Sequence, residues 1–278
     1  MLVVIGDLVA DLIVLGSASL ERGTDNPAEI RLTRGGSAAN VAVAAGSRHP
    51  ARFIGRVGDD TLAGALVGEL EAAGVDVRVQ RAGRTGSIVV LVDAVGERTM
   101  ITDRGAAAEL DAIDPTWLDG ATWVHLPLYG LAVPGSRLAV MDAAGRAAAA
   151  GAVISLDLSS VATLRDLGGD ELRGILGRLR PDVVFANEDE SRVAADLGLA
   201  IPGTYVVKRG AAPVLVTVGG ETREVPVDRV ADVLDSTGAG DAFAAGYITA
   251  ALAGADAHQS ARAGSVLAMS ALRRPGAL

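Results

Sequence analysis

The stretch Asp235-Ser236-Thr237-Gly238-Ala239-Gly240-Asp241, running directly into Ala242-Phe243-Ala244-Ala245-Gly246, decides how this chain is read. A loop of small residues opens straight into an apolar helix, predicted over 241–253 with Gly254 as its stop. Such a loop lets backbone N–H groups converge on an anion, and the helix N-terminus adds its partial positive charge. Asp241 falls in the first turn, where an acid commonly does no more than stabilise the helix. Gly238 and Gly240 change that reading, because they let the backbone approach a ligand closely. A carboxylate beside them can meet the group that attacks a phosphate. Two other phosphate motifs fail: a P-loop needs Gly-Lys-Ser/Thr, and the dinucleotide fingerprint needs a third glycine where this chain has Phe243.

Outward from this segment, short aliphatic runs alternate with longer amphipathic ones. Strands are predicted at 2–5, 153–156, 183–186, 205–207 and 214–218, and helices at 136–150 and behind a cap within Asp59-Asp60-Thr61, with Leu62, Leu66, Leu70 and Ala73 on one face and Gly74 as the stop. Strands alternating with helices build βαβ units around a parallel sheet. Asp157, Asn187 and Lys208 each end a strand candidate. Ligands of open α/β sheets bind outside the carboxyl ends of the strands, so these three groups point to one crevice. Segments 12–33 and 87–102 break the rhythm; both read as antiparallel ribbon, the second turning at 94–97, in a small sheet that projects from a single domain spanning 1–278.

Composition narrows the function. The chain has 278 residues, half of them hydrophobic, so a sizeable core can form. A formal net charge of −9 argues against a nucleic-acid partner. The absence of cysteine excludes disulfides, thiolate metal sites and a cysteine nucleophile. No apolar run reaches the about 18 residues of a membrane span. The N-terminus carries no signal-peptide pattern, so a cytoplasmic protein is expected. His49, His125 and His258 stand isolated and read as core or surface residues. Of the 25 basic residues one is lysine, Lys208.

A second segment, Gly35-Gly36-Ser37-Ala38-Ala39-Asn40, sets a diglycine before an alanine-rich helix. It is either a tight turn or a close approach of backbone to ligand, with Asn40 offering a donor and an acceptor. Taken in order, Gly35-Gly36…Asn40, Gly55-Arg56-Val57-Gly58-Asp59-Asp60 and the 235–241 loop closely resemble the ribokinase, or phosphofructokinase-B (PfkB), family of carbohydrate kinases. The resemblance spans essentially the whole chain. It implies a ribokinase-like three-layer α/β/α sandwich with a small β-sheet lid. It also implies ATP-dependent phosphorylation of a hydroxyl on a small sugar or sugar acid.

Carried over by position, the resemblance makes Asp241 the catalytic base and Gly238, Ala239 and Gly240 the anion hole. Asp11, Gly35, Gly36, Asn40 and Arg98 become substrate contacts. Asn187, Glu190, Lys208, Gly210, Thr237 and Gly276 line the ATP site. Glu190 becomes a water-mediated Mg²⁺ contact, although Asn187-x-x-Glu190 is also a capping pattern. Asp235 helps form a monovalent-cation (K⁺) site. Substrate choice falls to scattered residues including Arg98, His125 and Tyr129, and the resemblance also implies a homodimer through the lid. Departures from the family pattern are Ser236 for threonine, Ala211-Ala212-Pro213 in place of a glycine-containing turn, and Ser37 where ribokinases proper carry lysine. A nucleoside kinase of adenosine or pseudouridine type is the main alternative; the 3% aromatic content favours a sugar. A non-catalytic sugar- or nucleotide-binding protein and a dehydrogenase are further alternatives. The intact Asp241 loop argues against the first and the missing third glycine against the second.

Overall fold

The structure, a computed structural model, describes residues 1–15, 20–93, 98–230, 233 and 236–273, with Arg98 described by its backbone alone. Strand β1 (Leu2–Ile5) is buried throughout. Its side chains alternate between two cores, Leu2 and Val4 on one side and Val3 and Ile5 on the other. That period of two means both sheet faces are covered. In spatial order the parallel strands are β11 (Thr204–Arg209), β10 (Val183–Asn187), β9 (Val153–Asp157), β8 (Trp123–Pro127), β1, β4 (Ala51–Val57) and β5 (Asp76–Arg81). Beyond β11, β12 (Ala212–Val218) and β13 (Glu221–Val225) add antiparallel. Helices α1 (Ser37–Gly46), α2 (Thr61–Ala72), α6 (Ala239–Leu252) and α7 (Ala257–Ala271) enclose one core, and α3 (Pro134–Ala149), α4 (Val161–Leu179) and α5 (Glu188–Asp196) the other. The result is a three-layer α/β/α sandwich.

Two strands escape the sequence pattern for a physical reason. Trp123 and His125 put polar groups into buried β8, and one hydroxyl bonds to both: Ser155 Oγ lies 2.7 Å from Trp123 Nε1 and 2.9 Å from His125 Nδ1, while His125 Nε2 has no hydrogen-bond partner among the described residues. In β4, Arg52, Gly55 and Arg56 interrupt the apolar run, yet Arg52 is drawn to Asp76 on β5 at 2.7 Å. The helix predicted at 136–150 begins earlier, with Pro134 in its first turn, where the missing N–H costs nothing.

The small sheet has the order β3 (Glu29–Gly35), β2 (Val9–Leu15), β6 (Thr85–Val92) and β7 (Arg98–Gly105). Each hairpin is antiparallel, but β2 and β6 pair in parallel, so the sheet is mixed rather than wholly antiparallel. Its strands reach past both expected segments, back to Val9 and on to Gly105. The turn expected at 94–97 lies outside the described residues.

Two close approaches fix the body of the molecule. A methyl group on Gly246 of α6 would lie 2.9 Å from the Ala263 carbonyl oxygen, and one on Gly264 of α7 would lie 2.7 Å from that of Phe243. The two helices therefore meet backbone to backbone. The Gly58-Asp59-Asp60 segment forms a clasp under the small sheet. Asp60 caps α2 through Ala63 N–H (2.9 Å) and also accepts from the Thr85 N–H (2.8 Å) and hydroxyl (2.7 Å) at the start of β6. Thr85 is buried, and a side chain on Gly58 would collide with its backbone nitrogen. Asp60→Ala removes a helix cap and strands a buried N–H. Urea denaturation is expected to show a loss of about 1–3 kcal/mol; a loss within about 0.5 kcal/mol, the range of ordinary surface substitutions, would rule out the clasp.

Candidate active site

Asp157, Asn187 and Lys208 lie at or next to the carboxyl ends of adjacent parallel strands, with Asn187 and Lys208 in direct register. The pairing of β11 with β12 shifts between Val207 and Arg209, a bulge that sets Pro213 and Val214 opposite Lys208. Bulges re-aim side chains and accommodate proline, which has no N–H for the ladder. Lys208 Nζ lies 2.8 Å from Asp157 Oδ2. Burial works against the ammonium, yet Asp157, Glu190 and Asp241 outweigh it and hold Lys208 above its ordinary pKa. A methyl group on Gly240 would stand 3.4 Å from Nζ, so the lysine sits against the N-terminus of α6.

Gly238 caps α6 in the left-handed conformation, and the Ala239 N–H turns back to the Ser236 carbonyl at 3.3 Å. Asp241 follows within the first turn. Its carboxylate accepts from Ser37 Oγ at 2.6 Å and from Asn40 Nδ2 at 2.9 Å, both on α1. Burial pushes its pKa up to about 7 against these two donors, with Asp157 adding to the rise and Lys208 opposing it. The amide of Asn40 is thus engaged at both ends, because Arg34 Nη2 donates to its Oδ1 at 3.3 Å. Arg34 is itself buried; burial pushes its guanidinium down while Glu69, Asp241 and Asp11 push back.

The diglycine is explained by what it touches. A side chain on Gly35 would occupy the place of the Asp11 carboxylate, and one on Gly36 would strike the Asp7 carbonyl. Gly36 also has φ of +100°, a conformation that favours glycine. Asp11 keeps a buried Oδ1 with no hydrogen-bond partner among the described residues. Burial, then the Asp7 charge, raise its pKa to about 6, with Arg34 opposing. Buried Asp7 accepts from Arg104 Nη1 at 3.1 Å. The Arg104 guanidinium lies 3.9 Å from the centre of the Tyr129 ring.

Asn187 and Glu190 form a full capping box. Both Glu190 oxygens accept from Asn187, at 2.8 Å each, and burial raises the Glu190 pKa to about 7 with Asp157 contributing. Gly210 forms the β11–β12 turn, and Thr237 sits in the turn before α6. Arg98 opens β7 opposite Val92, about 20 Å of strand from Arg104 at the usual rise per residue. Asp235 and Gly276 lie outside the described residues. His125 is buried in β8 against Phe185, and burial lowers its pKa to about 4, so it is a neutral core residue. Arg34 and Arg104 lie just beyond the predicted ribbons, and sequence reading gave them no role. Adjacency to Gly35 was the one available signal for Arg34; nothing in sequence marked Arg104. Among the described residues no three His, Asp or Glu side chains form a metal cage, and no helix is long and apolar enough to cross a membrane.

This geometry can be set beside known proteins. The chain is 34% identical over 250 residues to an ATP-dependent ribose-1-phosphate kinase of Halopiger xanaduensis, covering 85% of this chain and 80% of that protein. It is 32% identical over 258 residues to a fructokinase of Escherichia coli, covering 85% and 82%. In fold it superposes on the adenosine kinase of Sinorhizobium meliloti with a TM-score of 0.87 at 23% identity, covering 99% of this chain and 94% of that one. The description "pfkB family carbohydrate kinase" matches residues 1–278. The chain belongs to the pfkB family of carbohydrate kinases.

Proposed function

We propose that Asp241 is the general base of an ATP-dependent phosphoryl transfer to a hydroxyl of a small sugar. The family makes the chain a kinase; the division of labour within the site is our reading. One observation carries it: a carboxylate at the mouth of α6, oriented by Ser37 and Asn40, with a pKa of about 7. A base with that pKa is half ionised near neutral pH and accepts a proton readily as the hydroxyl attacks. The N–H groups of Gly238, Ala239 and Gly240, with the dipole of α6 and the Lys208 ammonium, stabilise charge on the transferred phosphoryl group. Since Ala239 N–H also serves the turn to Ser236, Gly238 and Gly240 carry more of that task.

The acceptor sits beside Asp11, Gly35, Gly36 and Asn40. The unpartnered Asp11 oxygen supports this, because a sugar hydroxyl is the donor it lacks. The small sheet, with lid segments 12–33 and 87–102, closes over the crevice and excludes water. Asn187, Glu190, Gly210 and Thr237 lie on the ATP side. Mg²⁺ fits here without a protein cage, since it arrives on phosphates and keeps most of its water. Glu190, with both oxygens already turned toward Asn187, and Asp157 would hold such waters at second remove; the ion would offset phosphate charge. An aliphatic surface supports pairing of two copies through the lid: Ile30, Leu32 and Ile101 are exposed and, by register, share one face of the small sheet. A cytoplasmic location fits an ATP-consuming reaction. A sugar is preferred over a nucleoside because Tyr129, whose titration feels Asp7 and Asp241, already has Arg104 on one face.

ADP release with Mg-ATP, measured against ribose, ribose 1-phosphate, fructose, fructose phosphates, 2-keto-3-deoxygluconate, adenosine and pseudouridine, tests the reading. Turnover on one sugar is expected. Asp241→Asn is expected to lower kcat by about 10²–10⁴-fold with little change in KM; a variant that keeps most of its turnover would remove Asp241 as the base. The raised pKa also fixes a sign. Protonated Asp241 cannot accept a proton, so kcat should fall as pH drops through about 7 and level off above it. A profile flat from pH 5 to 8 would contradict that role.

A further inference from the structure

A chain of contacts around the crevice links the small sheet to the phosphate side. Arg104, near the end of β7, stacks on Tyr129. The Tyr129 hydroxyl donates to the Ser159 carbonyl at 3.3 Å. The Ser159 N–H donates to Asp157 Oδ1 at 2.8 Å, and Asp157 Oδ2 holds Lys208 Nζ at 2.8 Å. Lys208 in turn lies against Gly240. Ser159 is one of two non-glycine residues with positive φ among the described residues, at +60°. Strain of this kind persists where surrounding contacts over-determine it, and it clusters at functional sites. Here the contacts are identifiable: Ser159 Oγ donates to the Asp157 carbonyl at 2.9 Å and accepts from Leu128 N–H at 3.1 Å. The strained residue thus clamps the ends of β8 and β9 together. Both Asp157 oxygens are taken, so the carboxylate cannot turn without moving Ser159 or releasing the lysine.

We propose that Tyr129 and Ser159 are positioning residues that couple the small sheet to the phosphate-binding lysine. Arg104 moves with the small sheet. Its guanidinium loads the Tyr129 ring, Tyr129 holds the Ser159 carbonyl, and Ser159 sets the Asp157 carboxylate that places the Lys208 ammonium. The inference rests on the reading of Lys208 as a phosphate ligand. It adds that the geometry of this lysine is set from the acceptor side of the crevice, so the lysine is held in place when the small sheet is in place.

Lys208 is the chain's one lysine, which makes the test direct. Protein grown on [¹³Cε]lysine and carrying a lysine-free tag has a single lysine signal. Tyr129→Phe removes the hydroxyl but keeps the ring under Arg104; Arg104→Gln keeps a hydrogen-bond donor for Asp7 but loses the charged planar stack, and adds no second lysine. Either change should shift the lysine signal, with the melting temperature recorded alongside. Affinity for magnesium with the non-hydrolysable analogue AMP-PNP gives the second readout. Tyr129→Phe should weaken it about threefold to tenfold, and Lys208→Met more. The double variant should be no weaker than Lys208→Met alone. An unmoved lysine signal, or losses that simply add, would overturn the coupling while leaving Lys208 as a phosphate ligand. Wild-type affinity in Lys208→Met would overturn that assignment and the coupling with it. If Tyr129→Phe does not fold, Arg104→Gln is judged by the same criteria.

Discussion

Helices α1 and α6 begin facing the same crevice, and one carboxylate joins them: Asp241 is held by Ser37, 204 residues earlier, and by Asn40. The positive ends of two helices, a buried arginine and a lysine therefore surround a group that burial alone would neutralise. The balance leaves Asp241 near a pKa of 7 rather than fully ionised or fully protonated. The small residues follow from this meeting. Ala38 and Ala39 of α1 and Ala242, Ala244 and Ala245 of α6 are buried in the same core, which lets the two helix starts approach. The diglycine before α1 then has to turn sharply beneath Asp7 and Asp11.

The charges are economical. Asp157, Glu190 and Asp241 all act on Lys208, a single ammonium that answers three carboxylates. An ammonium is more compact than a guanidinium, and Lys208, 2.8 Å from Asp157, is the one lysine of a chain that otherwise uses arginine. Around Asp7, Asp11 and Asn40 the cations are arginines, Arg34 and Arg104, and each lies against a partner: the Asn40 amide for Arg34, the Tyr129 ring and the Asp7 carboxylate for Arg104.

Much of this was legible in sequence, for reasons that can be stated. Strand-end polar residues are exposed to view because they follow aliphatic runs, as Asp157, Asn187 and Lys208 do. The α6 loop is legible because its composition has few other uses. Strand β8 was not, since Trp123 and His125 hide a buried strand until Ser155, on a neighbouring strand, bonds to both. Asp60 was legible as a helix cap but not as a clasp, because Thr85 lies 25 residues away. Asn187 and Glu190 carried two readings at once, and the capping box shows that the local one is realised. Arg104 could not be told from any arginine on a ribbon until the fold laid it over Tyr129.

The seam between α6 and α7 bears on how such an enzyme could be re-engineered. Gly246 and Gly264 leave no space for even a methyl group, so the helix that carries Asp241 is fixed against its neighbour like a tool in a vice. Libraries aimed at new acceptors would find little tolerance there. Sequence variation is cheaper at the opposite wall, along β3 and β7, the edge strands of the small sheet, where most described residues are exposed. With Asp241 as the proposed base, the chemistry would sit on the rigid wall and the choice of acceptor on the adaptable one, so one base could serve different sugars without being rebuilt.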